Sequence, residues 1–457
     1  APKGDGPLKQ IPNWPKVHLT PNGIWCKVII MTTGVTFPPT ISALNPWWRA
    51  DFSLHDHPDY KTRPRYAFPK LLQTFNETNL MVFIKGLRRL GKSTLLRQLA
   101  LNLIESHRYK GSDIFLIEFS ETFNDLESTL LNIPLAVSVV LLDEIQYCDR
   151  WRDTLKSFYD AFPQTKIIFT GSAAISFTQE KESLMGRFLP INLPPLSFHE
   201  YLYLKHGWAG EKNKNPFVNL EEWYEFVQFG EFPETLKINS PDLRYSYLRE
   251  SIINPLITQD ASLYKVEKKQ EFLMILKALA SNIGQVINKS NLSAEIGISW
   301  PLTDKYLSIL EDIGIIKFVS NYHKSVRKQI LSDKKIYFSS INLCLSLLDI
   351  PSYKNLAIKE FKGHIFENAV FNELILKHPN LFYWRRNGNE IDFLTFESGK
   401  LSAYEVKSSS AMKKPEAGRY FRLAEKAGAD EVSIIYGSPT EDNNPRSKNR
   451  ICSFLWV

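Results

Sequence analysis

The residues best suited to chemistry lie at positions 86–93, which read Gly-Leu-Arg-Arg-Leu-Gly-Lys-Ser. This is the spacing of a phosphate-binding P-loop, in which glycines let backbone N–H groups turn toward a phosphate. Lys92 is expected to reach the β- and γ-phosphates of ATP, and the Ser93 hydroxyl is expected to bind Mg²⁺. A glycine-rich turn with a stray lysine is the alternative. The residues expected to contact the nucleotide are Gly86, Arg89, Gly91, Lys92, Ser93 and Thr94.

Two acidic residues follow at the end of an apolar run, about fifty residues after the loop. Asp143 is expected to hold Mg²⁺ through its water shell, and Glu144 is expected to polarise the attacking water. The next apolar run ends in Thr170-Gly-Ser172, where the Ser172 hydroxyl is expected to sense the γ-phosphate. For each motif the alternative is an ordinary strand end, with solvated acids or a routine turn.

The sequence around these motifs predicts the elements that position them. Residues 79–85 have the pattern of a buried strand, and residues 93–104 have that of an amphipathic helix whose N-terminus favours an anion. Further apolar runs at 113–118, 138–142 and 166–170 are typical of parallel strands buried on both faces. Together they predict a doubly wound α/β sheet.

Several motifs follow one another in order from about residue 60 onward. They are Leu87-Arg-Arg-Leu-Gly-Lys-Ser-Thr94, Asp143-Glu-Ile-Gln146, Thr170-Gly-Ser172, Gly186-Arg187 and Pro195-Leu-Ser-Phe-His-Glu-Tyr201. This series resembles the AAA-type ATPases of archaea and bacteria that end in a nuclease-like domain of unassigned role. The resemblance implies a P-loop AAA-type core, a homo-oligomer such as a hexamer, and Arg187 as an arginine finger in the neighbouring subunit's site. A surface arginine after a loop is the alternative.

The pattern over residues 265–345 predicts a winged helix-turn-helix domain. Helical stripes occupy 271–281, 291–297 and 299–311, and a strand begins at 315. The third helix of such a domain can enter a major groove of DNA. A packing domain, or one for protein contacts, is the alternative. The basic residues expected to supply charge for phosphates are Lys305, Lys324, Arg327, Lys328, Lys334 and Lys335.

A second chemical pattern lies in residues 357–457. Glu405 and Lys407 are two apart on a predicted strand, so both should project to one face beside Asp392 on the partner strand. Glu367 lies on the preceding helix. Three carboxylates and a lysine suit Mg²⁺-dependent phosphodiester cleavage, and the pattern resembles the PD-(D/E)xK nuclease core, although no proline precedes Asp392. Cleavage and simple DNA grip both remain open.

Composition sets limits on the remaining properties. The 457 residues carry a formal net charge of +7, which permits a polyanionic partner. Four separated cysteines show no metal-ligand spacing and suit reduced thiols in the cytoplasm. The longest apolar run, 133–142, is too short to cross a membrane. The predicted organisation is an extended segment (1–46), a P-loop ATPase core (47–205), a helical lid (206–264), a winged helix-turn-helix (265–345) and a small α/β restriction-endonuclease-like domain (357–457).

The sequence therefore predicts an AAA-type ATPase that hydrolyses ATP, with Mg²⁺, to move or remodel bound DNA, including branched DNA such as Holliday junctions. Two alternatives remain: an ATP-dependent switch that gates a protein partner, and an ATP-gated, metal-dependent nuclease.

Overall fold

A computed structural model of the chain forms two compact units, residues 1–193 and 194–457. The structure describes residues 15–19, 25–31, 39–134, 136–172, 184, 186–207, 220–354, 356, 358–408, 414–437 and 449–453. The predicted N-terminal segment therefore lies partly outside the described residues. Among the described residues, no helix has the length and apolar character needed to cross a membrane.

The first unit is built around a five-stranded parallel sheet with the strand order β4-β5-β6-β3-β7. Strand β5 is buried along its whole length, as expected for a central strand covered on both faces. This confirms the predicted α/β fold with a parallel sheet. The strands are β1 (Pro15–Leu19), β2 (Trp25–Met31), β3 (Met81–Gly86), β4 (Ile114–Glu118), β5 (Val139–Asp143), β6 (Lys166–Ser172) and β7 (Phe188–Asn192). The helices are α1 (Pro39–Leu44), α2 (Pro58–Lys61), α3 (Phe68–Glu77), α4 (Lys92–Glu105), α5 (Leu126–Leu131) and α6 (Trp151–Ala161).

The outer edge of this sheet, strand β4, is covered by side chains from the segment after α1. Asn45 Oδ1 accepts from the Leu116 backbone N–H at 2.7 Å, and Asn45 Nδ2 donates to the Leu116 carbonyl at 2.8 Å. The indole N–H groups of Trp47 and Trp48 both donate to the Ile114 carbonyl, at 3.3 and 3.0 Å. The adjacent tryptophans therefore pack on the domain that follows them.

The second unit contains two further sheets. Strands β8, β10 and β9 form an antiparallel sheet in that order, and β11 to β15 form a mixed sheet in sequence order. The strands are β8 (Val286–Ile287), β9 (Ile316–Ser320), β10 (Lys334–Phe338), β11 (Leu381–Arg386), β12 (Asn389–Glu397), β13 (Lys400–Lys407), β14 (Glu431–Tyr436) and β15 (Asn449–Ser453). The helices are α7 (Phe198–His206), α8 (Leu220–Phe229), α9 (Pro241–Leu248), α10 (Ala261–Leu263), α11 (Lys269–Ser281), α12 (Lys289–Ile296), α13 (Trp300–Ile313), α14 (Val326–Ile330), α15 (Ile341–Leu347), α16 (Lys359–Lys377) and α17 (Lys414–Ala427).

Buried polar side chains join the segments of the second unit. Asn342, at the start of α15, accepts from the Glu231 backbone N–H at 2.8 Å and donates to the carbonyls of Phe226 and Val227. The Glu231 carboxylate accepts from Ser340 Oγ and from the Asn342 backbone N–H. Burial raises the pKa of Glu231 to about 7, although these hydrogen bonds favour its charged form. We call this group the Glu231–Asn342 node.

The two compact units meet at residue 193, whereas the predicted ATPase core extends to residue 205. Helix α7, which was predicted to end the ATPase core, lies in the second unit. Glu373 of α16 accepts from the backbone N–H of Phe198, the first residue of α7, at 2.6 Å. Such a carboxylate at a helix N-terminus satisfies an otherwise unpaired donor. Long-range hydrogen bonds of this kind make residues 194–457 one compact unit.

Candidate ATP-hydrolysis site

The predicted P-loop connects β3 to α4. Gly91 caps the N-terminus of α4 with φ of 91°, a conformation in which glycine avoids a side-chain clash. Lys92 is the first helical residue and is buried. Its ammonium donates to the carbonyl oxygens of Leu87 at 3.0 Å and Gly86 at 3.2 Å. The lysine is thus held over its own loop by two neutral acceptors.

The two loop glycines are needed for different reasons. A Cβ atom at Gly86 would lie 2.3 Å from the carbonyl oxygen of Leu193, whereas one at Gly91 would meet nothing within 4 Å. Because the segment after β7 lies so close to the loop, position 86 has no room for a side chain. Arg89 also adopts a left-handed backbone conformation, with φ of 65°, so the loop bends sharply between the two glycines.

Asp143 lies at the end of β5 and is completely surrounded by protein. It accepts hydrogen bonds from the hydroxyls of Ser93 and Thr170. Burial, reinforced by the neighbouring Glu144 charge, raises the pKa of Asp143 to about 6. The structure therefore brings the predicted Mg²⁺ residues Ser93 and Asp143 into direct contact. Thr170, on the adjacent strand β6, was not predicted to contact Asp143.

Glu144 is held by contacts that sequence reasoning missed. Its backbone is left-handed, with φ of 56°, and its N–H donates to Thr170 Oγ1 at 3.0 Å. The side-chain amide of Gln146 makes both contacts: Nε2 donates to the Glu144 carboxylate, and Oε1 accepts from the Ser172 backbone N–H at 3.1 Å. Gln146 therefore bridges the candidate water-activating acid and the end of β6. The Asp-Glu-Ile-Gln motif contains this residue, but spacing alone does not show where its amide points.

Ser172, the predicted phosphate sensor, is buried at the end of β6. Thr170, Ser172 and Asp143 lie at the carboxyl ends of adjacent parallel strands. The carboxyl ends of strands are where open α/β sheets bind ligands. The position of Ser172 suits the predicted role, which stays a prediction.

Arg187 lies just before β7, outside this cluster. Its guanidinium forms a two-pronged ion pair with Asp160 of α6, at 2.9 and 3.1 Å. Both side chains are partly exposed, and a surface ion pair of this kind contributes little stability, about 0–1 kcal/mol. The arginine is therefore held by a residue of the same chain, and this contact can be released at small cost.

The segment between β9 and β10 (residues 321–333), which we call the wing segment, carries exposed basic and apolar side chains together. Lys324, Arg327 and Lys328 are exposed. The aliphatic side chains of this surface are Val326, Ile330 and Leu331, which are 69%, 65% and 76% exposed. Lys305 on α13 is also exposed, but it lies next to Asp304, which pairs with Lys289. Of the basic residues predicted to contact phosphates, three are therefore exposed together on the wing segment.

The prediction that Lys335 contacts phosphates is wrong. Its side chain is 5% exposed and points into the protein, where its ammonium lies 3.0 Å from Glu367 Oε1 and 2.6 Å from Glu390 Oε1. Tyr337 donates to the same Glu367 oxygen at 2.6 Å. Long-range packing of β10 against α16 has placed this lysine inside, which no local pattern reveals.

The remaining predicted nuclease residues also meet in this region. Glu405 and Lys407 project to one face of β13, as predicted, and pair at 2.6 Å. Asp392 Oδ2 accepts from the Val406 backbone N–H at 2.8 Å. Burial, with a contribution from the Glu367 charge, raises the pKa of Asp392 to about 7. No group of three or more His, Cys, Asp or Glu residues in the described ranges has an arrangement that could hold a metal ion.

Comparison with protein families gives a match for the region that contains the P-loop. Residues 78–202 match the family of AAA domains. The parallel α/β sheet of the first unit is typical of a P-loop AAA ATPase core. We call residues 78–202 the AAA region. Residues 220–354 match a domain of unknown function, DUF8612, and residues 362–454 match another, DUF4143.

The chain is also similar to proteins from several organisms. An uncharacterized protein of Methanocaldococcus jannaschii is 27% identical over 380 residues, which is 78% of this chain and 81% of the relative. A second from that organism is 35% identical over 305 residues, 60% of this chain and 63% of the relative. The AMPPCP-bound DnaA of Aquifex aeolicus aligns with 58% of this chain and 91% of its own at 13% identity, with a TM-score of 0.29, a value too low to establish a common fold.

Proposed function

We propose that the protein hydrolyses ATP in the AAA region and uses the reaction to move or remodel DNA bound by the second unit. The observation that carries the hydrolysis proposal is the contact of Ser93 and Thr170 with Asp143, next to Glu144 and close to the P-loop. A hydroxyl and a carboxylate are the oxygen ligands that Mg²⁺ prefers. Ser93 and Asp143 therefore fit a Mg²⁺–ATP complex, in which the cation would neutralise phosphate charge.

The remaining residues of the site support defined roles. Lys92 can exchange its two loop carbonyls for phosphate oxygens, which are charged and therefore stronger acceptors. Glu144, released from Gln146, can accept a hydrogen bond from the attacking water. Because Gln146 also bonds to the Ser172 backbone, movement at the end of β6 changes how firmly Glu144 is held.

Arg187 is proposed to act in the site of a neighbouring subunit, because its partner Asp160 holds it only weakly at the surface of its own. Arg187→Ala is expected to lower the ATP turnover on the order of 10²-fold or more, since an arginine finger acts on the transition state. The ATP affinity should change little. Separate measurements of ATP turnover and ATP affinity on the purified assembly test whether the substitution lowers turnover without weakening binding.

Two controls make that test specific to a neighbouring subunit. Asp160→Asn frees the arginine without removing it, so turnover should be kept or raised. Mixed assemblies of Arg187→Ala and Lys92→Ala subunits should recover part of the activity, because some interfaces regain one intact loop and one intact arginine. Absence of recovery in an assembly shown to exchange subunits would refute the role.

The winged-helix interpretation is supported by three helices, α11 to α13, and a sheet of β8, β9 and β10, in which an exposed basic segment connects β9 to β10. Lys324, Arg327 and Lys328 can contact phosphates, and the exposed aliphatic side chains beside them suit insertion between bases in a minor groove. The wing segment, more than α13, is therefore the proposed DNA contact.

Reversing the charge of Lys324, Arg327 and Lys328 to glutamate is expected to weaken DNA binding. The slope of log affinity against log salt should fall in magnitude by about 2–3, one unit for each lost phosphate contact. Any stimulation of ATP turnover by single-stranded, duplex or four-way DNA should be lost with it. Reversal of Lys237, Lys268 and Lys400 gives the control, because these lysines are also exposed and lie outside the wing segment. Equal effects of both triple variants would show a general charge effect and contradict the proposed DNA contact.

A nucleotide switch that gates a protein partner is the second candidate. The observation that favours it is the same set of exposed aliphatic side chains, Val326, Ile330 and Leu331, since apolar patches also mark protein contacts. DNA-stimulated hydrolysis over many turnovers identifies the DNA-remodelling function. Slow turnover that no DNA accelerates identifies the switch.

A further inference from the structure

A lysine of the β8–β10–β9 sheet, Lys335, lies among acidic residues of the C-terminal sheet and α16. We define the acidic cluster as Glu367, Glu390, Asp392 and Glu405. The Lys335 ammonium lies within hydrogen-bond distance of two of its members and is nearly inaccessible to solvent. Tyr337, two residues along the same strand, donates a second hydrogen bond to Glu367 Oε1. Strand β10 thus supplies both partners of this carboxylate oxygen.

The backbone around Lys335 is fixed from two directions. Asn368 of α16 accepts from the Phe338 N–H and donates to the Phe338 carbonyl, both at 2.7 Å. After the edge strand β9, Asn321 exchanges two hydrogen bonds with the backbone of Arg385 in β11, at 3.1 and 3.0 Å. The position of Lys335 therefore follows from the packing of β10 rather than from a free side-chain rotation.

The other members of the acidic cluster are partly satisfied. Glu405 Oε1 accepts from Lys407, and Asp392 Oδ2 accepts from a backbone N–H. Glu405 Oε2 is buried and has no hydrogen-bond partner among the described residues. A buried carboxylate oxygen without a partner is costly, and the nearby positive charge of Lys407 offsets part of that cost.

We propose that Lys335 is the resident cation of the acidic cluster: it takes the place that a divalent metal would need, and it joins the β8–β10–β9 sheet to the C-terminal sheet. A Mg²⁺ or Mn²⁺ ion needs several carboxylate oxygens drawn together around it. Here the Glu367 oxygen already accepts from both an ammonium and a phenol. The C-terminal domain consequently acts as a structural partner of the winged-helix region and takes up no metal at this cluster.

The test measures Mn²⁺ uptake and thermal unfolding of the full-length protein without nucleotide. Lys335→Met keeps the length of the side chain but removes its charge, and Lys334→Met on the same strand is the matched control. Wild type and Lys334→Met should bind the same number of Mn²⁺ ions and unfold at the same temperature. Lys335→Met should lower the Tm by roughly 5 °C or more, because it leaves buried acids unpaired. It should also gain one Mn²⁺ site, and occupation of that site should raise the Tm.

A second variant keeps the proposal falsifiable if Lys335→Met does not fold. Glu405→Gln in the otherwise wild-type chain should leave Mn²⁺ uptake unchanged, because no ion is bound at the cluster. Loss of one Mn²⁺ site on Glu405→Gln would overturn the proposal, since the wild-type cluster would then hold metal despite Lys335. A Lys335→Met protein that is as stable as wild type and gains no Mn²⁺ site would overturn it as well.

Discussion

Replacing Lys92 with alanine is expected to lower ATP turnover by at least about 10²-fold and to weaken ATP binding, because this ammonium is the proposed contact of the β- and γ-phosphates. The lysine is buried at the start of α4 and is held by carbonyls that phosphate oxygens can replace. Steady-state turnover and equilibrium binding of a fluorescent ATP analogue measure the two effects. An unchanged thermal unfolding curve would show that the fold survives the substitution.

Glu144→Gln should give a different result at the same site. It keeps the shape of the side chain and leaves Asp143 and Ser93 in place, so ATP should bind with nearly normal affinity while turnover falls. Glu127→Gln on α5, an exposed glutamate at a helix start, is the control and should behave as wild type. Equal losses of ATP affinity in Lys92→Ala and Glu144→Gln would contradict the role given to Glu144.

The second large effect is expected on stability, from Asn342→Ala in the Glu231–Asn342 node. The substitution removes the partner of the Glu231 N–H and of two carbonyls in α8, all in a buried region. Each buried polar group left unpaired costs about 1–3 kcal/mol, so the free energy of unfolding should fall by roughly 3 kcal/mol or more. Urea unfolding, monitored by a spectroscopic signal from residues 194–457, measures the change in the free energy of unfolding.

Asn254→Ala is the control for that experiment. Asn254 lies in the same unit and is exposed, and its side-chain amide donates to Glu250 Oε2 at 2.7 Å. Its loss should change the free energy of unfolding by less than about 0.5 kcal/mol. If the two alanine variants unfold alike, the node contributes no more than a surface hydrogen bond and the argument for it is wrong.

The elements of the AAA region could be predicted because their signals are local. A buried parallel strand is a continuous apolar run, and a P-loop is a short series of glycines, lysine and serine. Sequence spacing therefore located Lys92, Ser93, Asp143 and Glu144. It also placed Glu405 and Lys407 on one face, since that follows from the alternation of side chains along a strand.

The parts that could not be predicted depend on contacts between distant segments. Gln146 was visible in its motif, but its bond to Ser172 depends on the pairing of β5 with β6. Lys335 was expected to contact phosphates because lysines are mostly exposed. Only the packing of β10 against α16 buries it against Glu367. The Glu231–Asn342 node joins residues more than a hundred positions apart in the sequence. The spacing of apolar and polar residues along the chain cannot predict such a contact.

The cover on strand β4 limits how copies of this chain can assemble. An uncovered edge strand invites a strand from another molecule, which leads to sheet extension, swapping or fibres. The side-chain amide of Asn45 makes the two hydrogen bonds to Leu116 that a neighbouring strand would make. The indole N–H groups of Trp47 and Trp48 donate to the Ile114 carbonyl. An assembly in which Arg187 crosses an interface, as proposed, therefore cannot form by extending the sheet at the covered edge of β4. Loss of Asn45 is expected to favour aggregation over ordered assembly.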